Sequence, residues 1–600
     1  MVRLLKQLGK KDRWMMLLCV LLVAGQVYLD LTLPDYTKEI TTLIGMESDV
    51  LKDYFIAGGK MLACALCSAV LAVIVGYFAA MIAADFSFHI REQVFNKVSA
   101  FGSGEIKRFS TASLITRTTN DITQIQMVVA MGLQVMIKAP IMAVWAVLKI
   151  VGKSCELSVL TASAVLILVT TIIVLLAVLL PKFRIVQEQI DDLNRVTREN
   201  LTGLRVVRAF NAEQYQEDKF EEASGALMKT QMFTMRGMAF LFPIMIFVQS
   251  CLTLGIYWLG AYLINDISIP LTGTLAEVMT AIAARADLLG DVVAFTSYAM
   301  YVVMSFVMLM AIFVILPRAQ VSAGRINEIL DAPISVREGF GGTAAREKGT
   351  VEFRDVSFRY PDAAEDCLKH ISFTANPGET VAFIGATGSG KSTLVGLAAR
   401  LYDTTAGEVL IDGQNVRDYT FRELYSRLGY VPQKAVLFAD TIARNVSFGD
   451  SGHPITEEDI DKAIDIAQAR AFVSETEQGL QSPIAQGGSN VSGGQKQRLA
   501  IARAIARKPE ILIFDDSFSA LDYQTDRALR QRIAEELRGT TCLIVAQRIG
   551  TIRHADKIVV LDNGEAVGIG THEELMETCP VYQEIALSQL SQAELAERRA

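Results

Sequence analysis

The sequence predicts a membrane α-helical domain with six transmembrane helices, followed by an α/β domain built around a phosphate-binding loop. Its 600 residues exceed what a single hydrophobic core normally organises. The hydrophobic content of 51% and the mean hydropathy of +0.33 exceed the values of an ordinary soluble protein. Uncharged stretches occur before residue 320, and the rest has mixed charge. The net charge of −8 argues against a nucleic-acid binder, which is usually basic.

Six apolar stretches are long enough to cross a membrane, since a crossing needs about 20 residues. Only an internally hydrogen-bonded helix satisfies its backbone in hydrocarbon, so each stretch is predicted to be helical. The second, fourth, fifth and sixth contain no Asp, Glu, Lys or Arg. The predicted crossings are residues 14–33, 61–84, 128–151, 157–181, 237–264 and 292–316.

The orientation follows from a basic cluster before the first crossing. The cluster resembles the start of a signal peptide, but the apolar run is long and no A-x-A cleavage signal follows, which favours a retained helix. Positive charge stays on the cytoplasmic side, so the N-terminus and, after six crossings, the α/β domain are predicted in the cytoplasm. We therefore expect a multi-pass protein of the plasma membrane. The cluster consists of Arg3, Lys6, Lys10, Lys11 and Arg13.

The connections between crossings alternate in length. Residues 85–127 and 182–236 are long, charged and helix-patterned, and are predicted to extend the membrane helices into the cytoplasm as stalks. The outer segment 265–291 contains a fairly apolar run with charged residues in and beside it, such as Glu277 and Arg285. It is predicted to be an outer loop with a short helix.

Lys138 is the charged residue that lies well inside a predicted crossing. An ionisable group at such depth marks a functional site when it faces a polar cavity. If the helix extends inward, Lys138 lies instead at the cytoplasmic rim. The sequence leaves both positions open.

A phosphate-binding loop opens the second half of the chain. The pattern G-x-x-x-x-G-K-[ST] follows the apolar strand Val381–Ile384 and opens a helix over Thr393–Arg400. Backbone N–H groups of such a loop close around phosphate, the lysine neutralises phosphate charge and the hydroxyl binds Mg²⁺. Further along, ILIFDD places Asp515 at the end of an apolar strand, where its carboxylate can hold the same Mg²⁺. The candidate ATP-binding residues of the loop are Gly385, Thr387, Gly388, Ser389, Gly390, Lys391, Ser392 and Thr393.

Between these motifs, Ser492-Gly493-Gly494-Gln495 is similar to the signature of ATP-binding-cassette (ABC) proteins. The resemblance covers the whole chain and is closest to the bacterial multidrug type of ABC exporter, in which six membrane helices precede one phosphate-loop ATPase domain. It implies the type I ABC exporter fold, with ATP and Mg²⁺ as cofactors. It also implies that Tyr360 stacks on adenine, and that Gln433 serves hydrolysis and contacts Mg²⁺ together with Ser392 and Asp515. It further implies that Asp522 and the signature Ser492, Gly493, Gly494 and Gln495 act across a dimer interface.

The same resemblance predicts the domain boundaries. The transmembrane domain covers 1–330 and the nucleotide-binding domain 350–586, joined by a linker at 331–349 and followed by a C-terminal tail at 587–600. Two cytoplasmic segments resemble the stretches that carry coupling helices onto the ATPase domain. They lie near 103–126 and 199–213.

Two residues depart from the family pattern at positions that serve hydrolysis. Asp516 stands where hydrolytic members carry Glu, and Gln547 stands where they carry His. A carboxylate shorter by one methylene reaches the attacking water poorly, and a positioned general base contributes about 10²–10⁴ in rate. An amide donates a hydrogen bond but cannot become a cation. The two changes predict a degenerate site that binds ATP and hydrolyses it poorly, although tolerated drift with Asp as a workable base is the alternative.

In ABC dimers each ATP lies between the phosphate loop of one subunit and the signature of the other. The signature of this chain is intact apart from Val491, where Leu is usual. The chain is thus predicted to form a heterodimer with a second exporter half that carries Glu and His, and to move small apolar or amphipathic compounds such as drugs, lipids or peptides across the lipid bilayer. A homodimeric exporter with slow hydrolysis and an ATP-dependent membrane sensor are the alternatives.

Overall fold

The computed structural model describes residues 2–6, 9–46, 51–151, 155–269, 274–341 and 348–589. The chain divides into two compact units. The first consists of Met1–Phe95 and Ile115–Leu330, and the second of Asn96–Leu114 and Asp331–Ala600.

Among the described residues, six helices of the first unit are long and apolar enough to span a membrane. Each predicted crossing lies within one of them, so the prediction of six transmembrane helices is confirmed. They are α1 (Lys10–Gly45), α2 (Leu51–Ser99), α3 (Thr111–Val151), α4 (Cys155–Thr202), α5 (Glu213–Asp266) and α6 (Leu275–Asp331).

These helices are longer than a bilayer requires. Helix α2 has 49 residues, which corresponds to about 74 Å at 1.5 Å per residue. The hydrocarbon core is only about 30 Å thick, so much of α2 extends beyond it. The predicted stalk segments are helical in the structure, with further short helices at Ser103–Phe109 and Leu204–Ala209.

Helix α3 contains two π-helical turns. They cover Arg117–Asp121 and Gly132–Met136, the second ending just before Lys138. A π turn places an extra residue in the helix and rotates every side chain that follows it. The direction in which Lys138 points therefore does not follow from the regular helical period of the sequence.

The prediction for the outer segment 265–291 is wrong in one respect. Residues from Leu275 onward do not form a separate short helix, because Leu275–Asp331 is one continuous helix of 57 residues. The first 17 of those positions belong to the same helix as the sixth crossing.

The charged residues that suggested a loop belong to α6 and have hydrogen-bond or ion-pair partners. The Glu277 carboxylate accepts a hydrogen bond from the backbone of Thr274 at 2.8 Å and so caps the helix. The Arg285 guanidinium donates to the carbonyl oxygen of Ile267 at 2.9 Å. Asp287 pairs with Lys38 of α1 at 2.9 Å. Each of these charged side chains binds its partner while its own residue remains helical, so the helix is not interrupted.

The second unit contains two sheets. The smaller sheet has the strand order β2-β1-β4-β5, and the larger has the order β10-β9-β3-β8-β7-β6. In the larger sheet β9, β3, β8, β7 and β6 are parallel, and β10 is antiparallel to β9. The strands are β1 (Val351–Phe358), β2 (Leu368–Ala375), β3 (Thr380–Gly385), β4 (Ala406–Ile411), β5 (Gln414–Asn415), β6 (Leu428–Val431), β7 (Ile511–Asp515), β8 (Thr541–Val545), β9 (Lys557–Asp562) and β10 (Glu565–Gly570).

Helices cover the parallel sheet, whose strands are apolar on both faces, as is usual for a parallel sheet. Central strands end at the same edge, where ligands bind in such folds. The helices are Lys391–Ala398, Phe421–Arg427, Ile442–Val446, Glu457–Ile466, Arg470–Ser474, Gly493–Ala506, Tyr523–Glu536, Ile549–Ile552, His572–Thr578 and Pro580–Gln589.

The short segment Asn96–Leu114 groups with the second unit. Its Glu105 carboxylate accepts a hydrogen bond from the backbone of Ser335 at 3.2 Å. Its Lys107 ammonium lies 5.1 Å from the centre of the Tyr360 ring. The first predicted coupling segment thus packs within this unit through its early residues, whereas Ile115 and the residues after it group with the membrane helices.

Candidate functional site

The phosphate-binding loop connects the end of β3 to the helix that begins at Lys391. At Gly385 a β-carbon would lie 2.0 Å from the carbonyl oxygen of Leu561 on the neighbouring strand, so only glycine fits. Gly390 has a φ of 96°, a left-handed conformation that glycine adopts without strain. The two glycines hold the loop at the carboxyl edge of the sheet, with the helix N-terminus directed at the site.

Lys391 places a nearly buried cation in this loop. Its ammonium group donates to the carbonyl oxygens of Gly385 at 2.9 Å and Ala386 at 2.6 Å, and to the Ser389 hydroxyl at 3.3 Å. Burial lowers the pKa of Lys391, and the negative charge of Asp516 opposes this effect. A desolvated cation beside backbone N–H groups is a strong binding group for phosphate.

A hydroxyl and a carboxylate meet beside this lysine. The Ser392 hydroxyl donates to Asp515 Oδ1 at 2.6 Å, and the Tyr430 hydroxyl donates to Asp515 Oδ2 at 3.3 Å. Burial raises the pKa of Asp515 above its usual value. Serine and carboxylate oxygens are ligands that suit Mg²⁺, so Ser392 and Asp515 fit the predicted metal.

The three residues predicted to serve hydrolysis form one hydrogen-bonded cluster. Asp516 Oδ2 accepts the side-chain amide of Gln547 at 2.7 Å and the side-chain amide of Gln433 at 3.1 Å. Asp516 is 6% exposed and has a left-handed φ of 48°. The residues follow β6, β7 and β8, which are adjacent and parallel, so their carboxyl ends bring Gln433, Asp516 and Gln547 together.

This cluster limits what Asp516 can do chemically. A general base must have a free oxygen within hydrogen-bond reach of the attacking water. Both amides donate to Oδ2 of Asp516, so an attacking water must bind Oδ1 or compete with the amides for Oδ2. Gln547 cannot stabilise the negative charge that develops on the phosphate with a positive charge of its own, because an amide stays neutral.

The site residues line a cleft of about 340 Å³. Tyr360 is joined to it through a hydrogen bond of 2.8 Å between its hydroxyl and that of Thr393. The cleft brings together most of the loop residues predicted to bind ATP with the three residues predicted to serve hydrolysis. Its lining consists of Cys367, Thr387, Gly388, Gly390, Lys391, Ser392, Thr393, Gln433, Asp516, Val545 and Gln547.

The residues predicted to act across a dimer lie outside this lining. Ser492 and Gln495 cap the helix Gly493–Ala506 reciprocally, with hydrogen bonds of 2.8 and 3.3 Å between side chain and backbone. Asp522 caps the helix Tyr523–Glu536, and a backbone hydrogen bond from Thr525 lowers its pKa. Both groups are held in place within the chain, which leaves them ordered for contact with another molecule.

Sequence reasoning missed two residues that hold the site. Tyr430 reaches Asp515 only because β6 and β7 are paired in register, which no local pattern indicates. Gln589 ends the helix Pro580–Gln589 and binds the backbone on both sides of Arg548. Its amide nitrogen donates to the Gln547 carbonyl at 2.8 Å, and its amide oxygen accepts from Ile549 N–H at 2.8 Å.

Replacing Gln589 by Ala is expected to loosen the loop that carries Gln547. The Ile549 amide would lose its acceptor, and we expect its hydrogen exchange to accelerate about tenfold. Hydrogen exchange measured by mass spectrometry on the purified chain tests this expectation. The matched control is Gln583→Ala, because Gln583 lies on the same helix but donates to Met576. Equal protection of Ile549 in both variants would contradict the role of Gln589.

Both parts of the chain match models of known protein families. Residues 368–519 match the family model of the ABC transporter, and residues 16–282 match that of the ABC transporter transmembrane region. An uncharacterised ABC transporter ATP-binding protein of Mycobacterium tuberculosis is 39% identical over 86% of this chain and 85% of its own length. The ATP-dependent lipid A-core flippase of Pseudomonas aeruginosa is 31% identical over 83% of this chain and 79% of its own.

A solved structure has the same fold. The structure of a bacterial Atm1-family ABC exporter with ATP bound has a TM-score of 0.73 and 22% sequence identity. The match covers 97% of this chain and 99% of that one. The type I ABC exporter fold predicted for this chain is confirmed.

Proposed function

Because this chain belongs to the ABC transporter family, as an exporter half with a transmembrane region fused to an ATP-binding domain, we propose that it contributes a degenerate ATP site to a heterodimeric exporter. The cargo is a class of small apolar or amphipathic compounds. The N-terminus and the ATP-binding domain lie in the cytoplasm, as the basic N-terminal cluster favours.

The observation that carries the degenerate site is the cluster at Asp516. The short carboxylate already accepts two amide hydrogen bonds, and the residue at 547 cannot become a cation. The groups suited to ground-state binding of ATP and Mg²⁺, Lys391 and Ser392 among them, are arranged around the same cleft. Interactions that serve only the transition state are weakened while those that serve binding are kept, which lowers the rate without lowering affinity.

The signature supports a role for the chain at a second site. Ser492 caps its helix and leaves the helix N-terminus available to the phosphate of a nucleotide held by another subunit. A partner that carries Glu and His would then hydrolyse ATP with the help of this chain's signature. Binding of ATP closes the two ATP-binding domains, and hydrolysis at the partner's phosphate loop resets them.

The bound Mg²⁺ of each site would neutralise phosphate charge during the reaction. In this chain Ser392 and Asp515 would hold it, and Tyr430 positions the Asp515 carboxylate. The degenerate site stays occupied for long periods and biases the equilibrium between open and closed states through its different affinity for the two.

The names of relatives support the cargo class. Proteins about 30% identical to this chain in Hahella chejuensis and Pseudomonas aeruginosa are named as ATP-dependent lipid A-core flippases. A lipid is an amphipathic compound, in agreement with the apolar membrane helices of this chain.

The proposal is tested by ATP hydrolysis of the purified chain alone and in complex with an exporter half that carries Glu and His. The solitary chain is expected to turn over slowly and the complex briskly. Asp516→Ala is expected to leave turnover of the complex nearly unchanged, whereas loss of the partner's Glu abolishes it. Brisk turnover by the solitary chain would overturn the heterodimer and favour a homodimeric exporter.

Transport is measured separately, as ATP-dependent uptake of a labelled amphiphile into inverted membrane vesicles. Uptake is expected only when both subunits are present. ATP hydrolysis by the complex without uptake of any amphiphile would favour a membrane sensor over an exporter.

A further inference from the structure

We propose that two lysine–aspartate pairs between α1 and α3 form a binding track for the headgroup of a zwitterionic amphiphile. The inference rests on the proposed export of amphiphiles and specifies the chemical class of the cargo. It concerns Lys138, whose position the sequence left open and which has a charged partner in the structure.

The first pair joins Lys138 of α3 to Asp30 of α1. The ammonium nitrogen lies 3.0 Å from Asp30 Oδ2. The other oxygen of Asp30 accepts a hydrogen bond from the Ser68 hydroxyl of α2. The side chains of Lys138 and Asp30 are 19% and 17% exposed, so the pair is not sealed among the helices of this chain.

The second pair repeats this arrangement farther along the same two helices. Lys149 of α3 lies 2.7 Å from Asp35 Oδ2 of α1. The other oxygen of Asp35 accepts the Tyr298 hydroxyl of α6 at 2.6 Å. In both pairs the aspartate is therefore held by a hydroxyl from a third helix as well as by its lysine.

The two partners of each pair differ in freedom of movement. Each aspartate has a short side chain with both oxygens bonded, which fixes its position. Each lysine carries its charge on a flexible four-carbon stem. A ligand that enters a pair thus displaces the lysine and leaves the aspartate in place.

The charge of the ligand follows from this difference. A purely anionic group that draws Lys138 away would leave Asp30 as an unpaired charge in a medium of low dielectric constant, which is strongly unfavourable. A purely cationic group on Asp30 would leave Lys138 unpaired. A zwitterion satisfies both, because its cation binds the fixed aspartate and its anion binds the displaced lysine. Exchange of partners then keeps every charge paired.

The spacing of the two pairs suits a stepwise path. Lys138 and Lys149 are eleven residues apart on one face of α3, about 16 Å along the helix. Asp30 and Asp35 are five residues apart on α1, about 7.5 Å along that helix and about 140° around it, so the two fixed carboxylates are closer together than the lysines. Trp145 lies between them, and its ring centre is 5.7 Å from that of Tyr28 on α1. Aromatic rings attract quaternary ammonium groups and also contact apolar chains. In the proposed orientation Asp30 lies near the outer end of the predicted crossing 14–33 and Asp35 lies beyond it, so the track belongs to the outer part of the membrane.

Binding of three dodecyl amphiphiles that differ only in headgroup tests the inference. Dodecylphosphocholine is zwitterionic, dodecyl phosphate is anionic and dodecyltrimethylammonium is cationic. Each is titrated below its micellar concentration into the purified exporter in maltoside micelles, with intrinsic fluorescence as the readout and no ATP present. We expect dodecylphosphocholine to bind about tenfold more tightly than either of the others.

The variant Asp30→Asn with Lys138→Gln replaces the first ion pair by two amides that can still hydrogen-bond. It is expected to weaken dodecylphosphocholine binding about 30-fold and to abolish the preference among headgroups. The matched control is Glu39→Gln with Lys60→Gln, which neutralises an exposed pair between the same region of α1 and α2 and should change nothing. Asp35→Asn with Lys149→Gln provides an independent test at the second pair.

Two results would overturn the inference. One is a wild-type preference for the anionic or the cationic amphiphile, which needs no variant and leaves the exporter proposal standing. The other is unchanged, selective dodecylphosphocholine binding by both neutral double variants, which would show that the pairs only join helices. The exporter proposal itself fails through the separate ATPase and uptake measurements.

Discussion

Replacing Asp516 by Glu and Gln547 by His together is expected to raise ATP hydrolysis at the phosphate loop of this chain by about 10²–10⁴. Glu extends the carboxylate by one methylene toward the position of the attacking water. His removes the amide that donates to Asp516 Oδ2 at 2.7 Å and adds a group that can carry positive charge. The double variant thus restores both a base and a cation.

The single variants are expected to give much smaller gains. Asp516→Glu alone leaves the amides of Gln433 and Gln547 able to bind the new carboxylate. Gln547→His alone leaves the short carboxylate in place. Because the groups act on one transition state, the effects of the two replacements should exceed the product of the single effects.

Hydrolysis is measured in the complex whose partner has its catalytic Glu replaced by Gln, so that residual turnover comes from the site on this chain. The matched control exchanges the same residue types away from the cleft, as Asp461→Glu with Gln481→His, and should leave turnover unchanged. Wild-type turnover equal to that of the restored variant would show that Asp516 is a workable base and would contradict the degenerate site.

Replacing Lys391 by Ala is expected to weaken ATP binding by the solitary chain about 100-fold or more. Lys391 is 9% exposed, and its ammonium group is surrounded by oxygen atoms of its own loop. Loss of a desolvated cation leaves the phosphates without their main charge partner, while the glycine loop and the helix N-terminus remain.

Equilibrium binding of radiolabelled ATP with Mg²⁺ measures this loss. The control is Lys508→Ala, which removes a lysine of the same domain that pairs with Asp459 at 2.5 Å, away from the cleft. Similar affinities for the two variants would contradict the assignment of Lys391.

Removal of Mg²⁺ with a chelator is expected to weaken binding in the wild-type chain as well, because Ser392 and Asp515 then lose the ion they would hold.

The membrane helices could be predicted because their signal is local. A crossing needs a run of apolar residues, and such a run is visible in the sequence without knowledge of its neighbours. The prediction failed at 265–291, where charged residues suggested a loop. Glu277, Arg285 and Asp287 have partners on a continuous helix, and a charge with a partner does not end a helix.

The binding loop could be predicted for a similar reason. Its glycines, lysine and serine lie within eight positions, so strand, turn and helix follow one another in a single pattern. The departures at Asp516 and Gln547 were also visible, since each stands beside a recognisable motif. What the sequence could not indicate was that the amides of Gln433 and Gln547 both bind Asp516.

The residue pattern alone determined the kind of protein and its six membrane helices, and it predicted the ATP-binding residues and the unusual hydrolytic positions, because each depends on a short stretch of chain. Tertiary structure alone decided which distant residues meet. Gln433, Asp516 and Gln547 come together because three parallel strands end side by side. Lys138 pairs with Asp30 because α1 and α3 pack together, and a π turn before Lys138 rotates this part of α3. Contacts of this kind depend on strand order and helix rotation, which cannot be derived from the spacing of residues along the sequence.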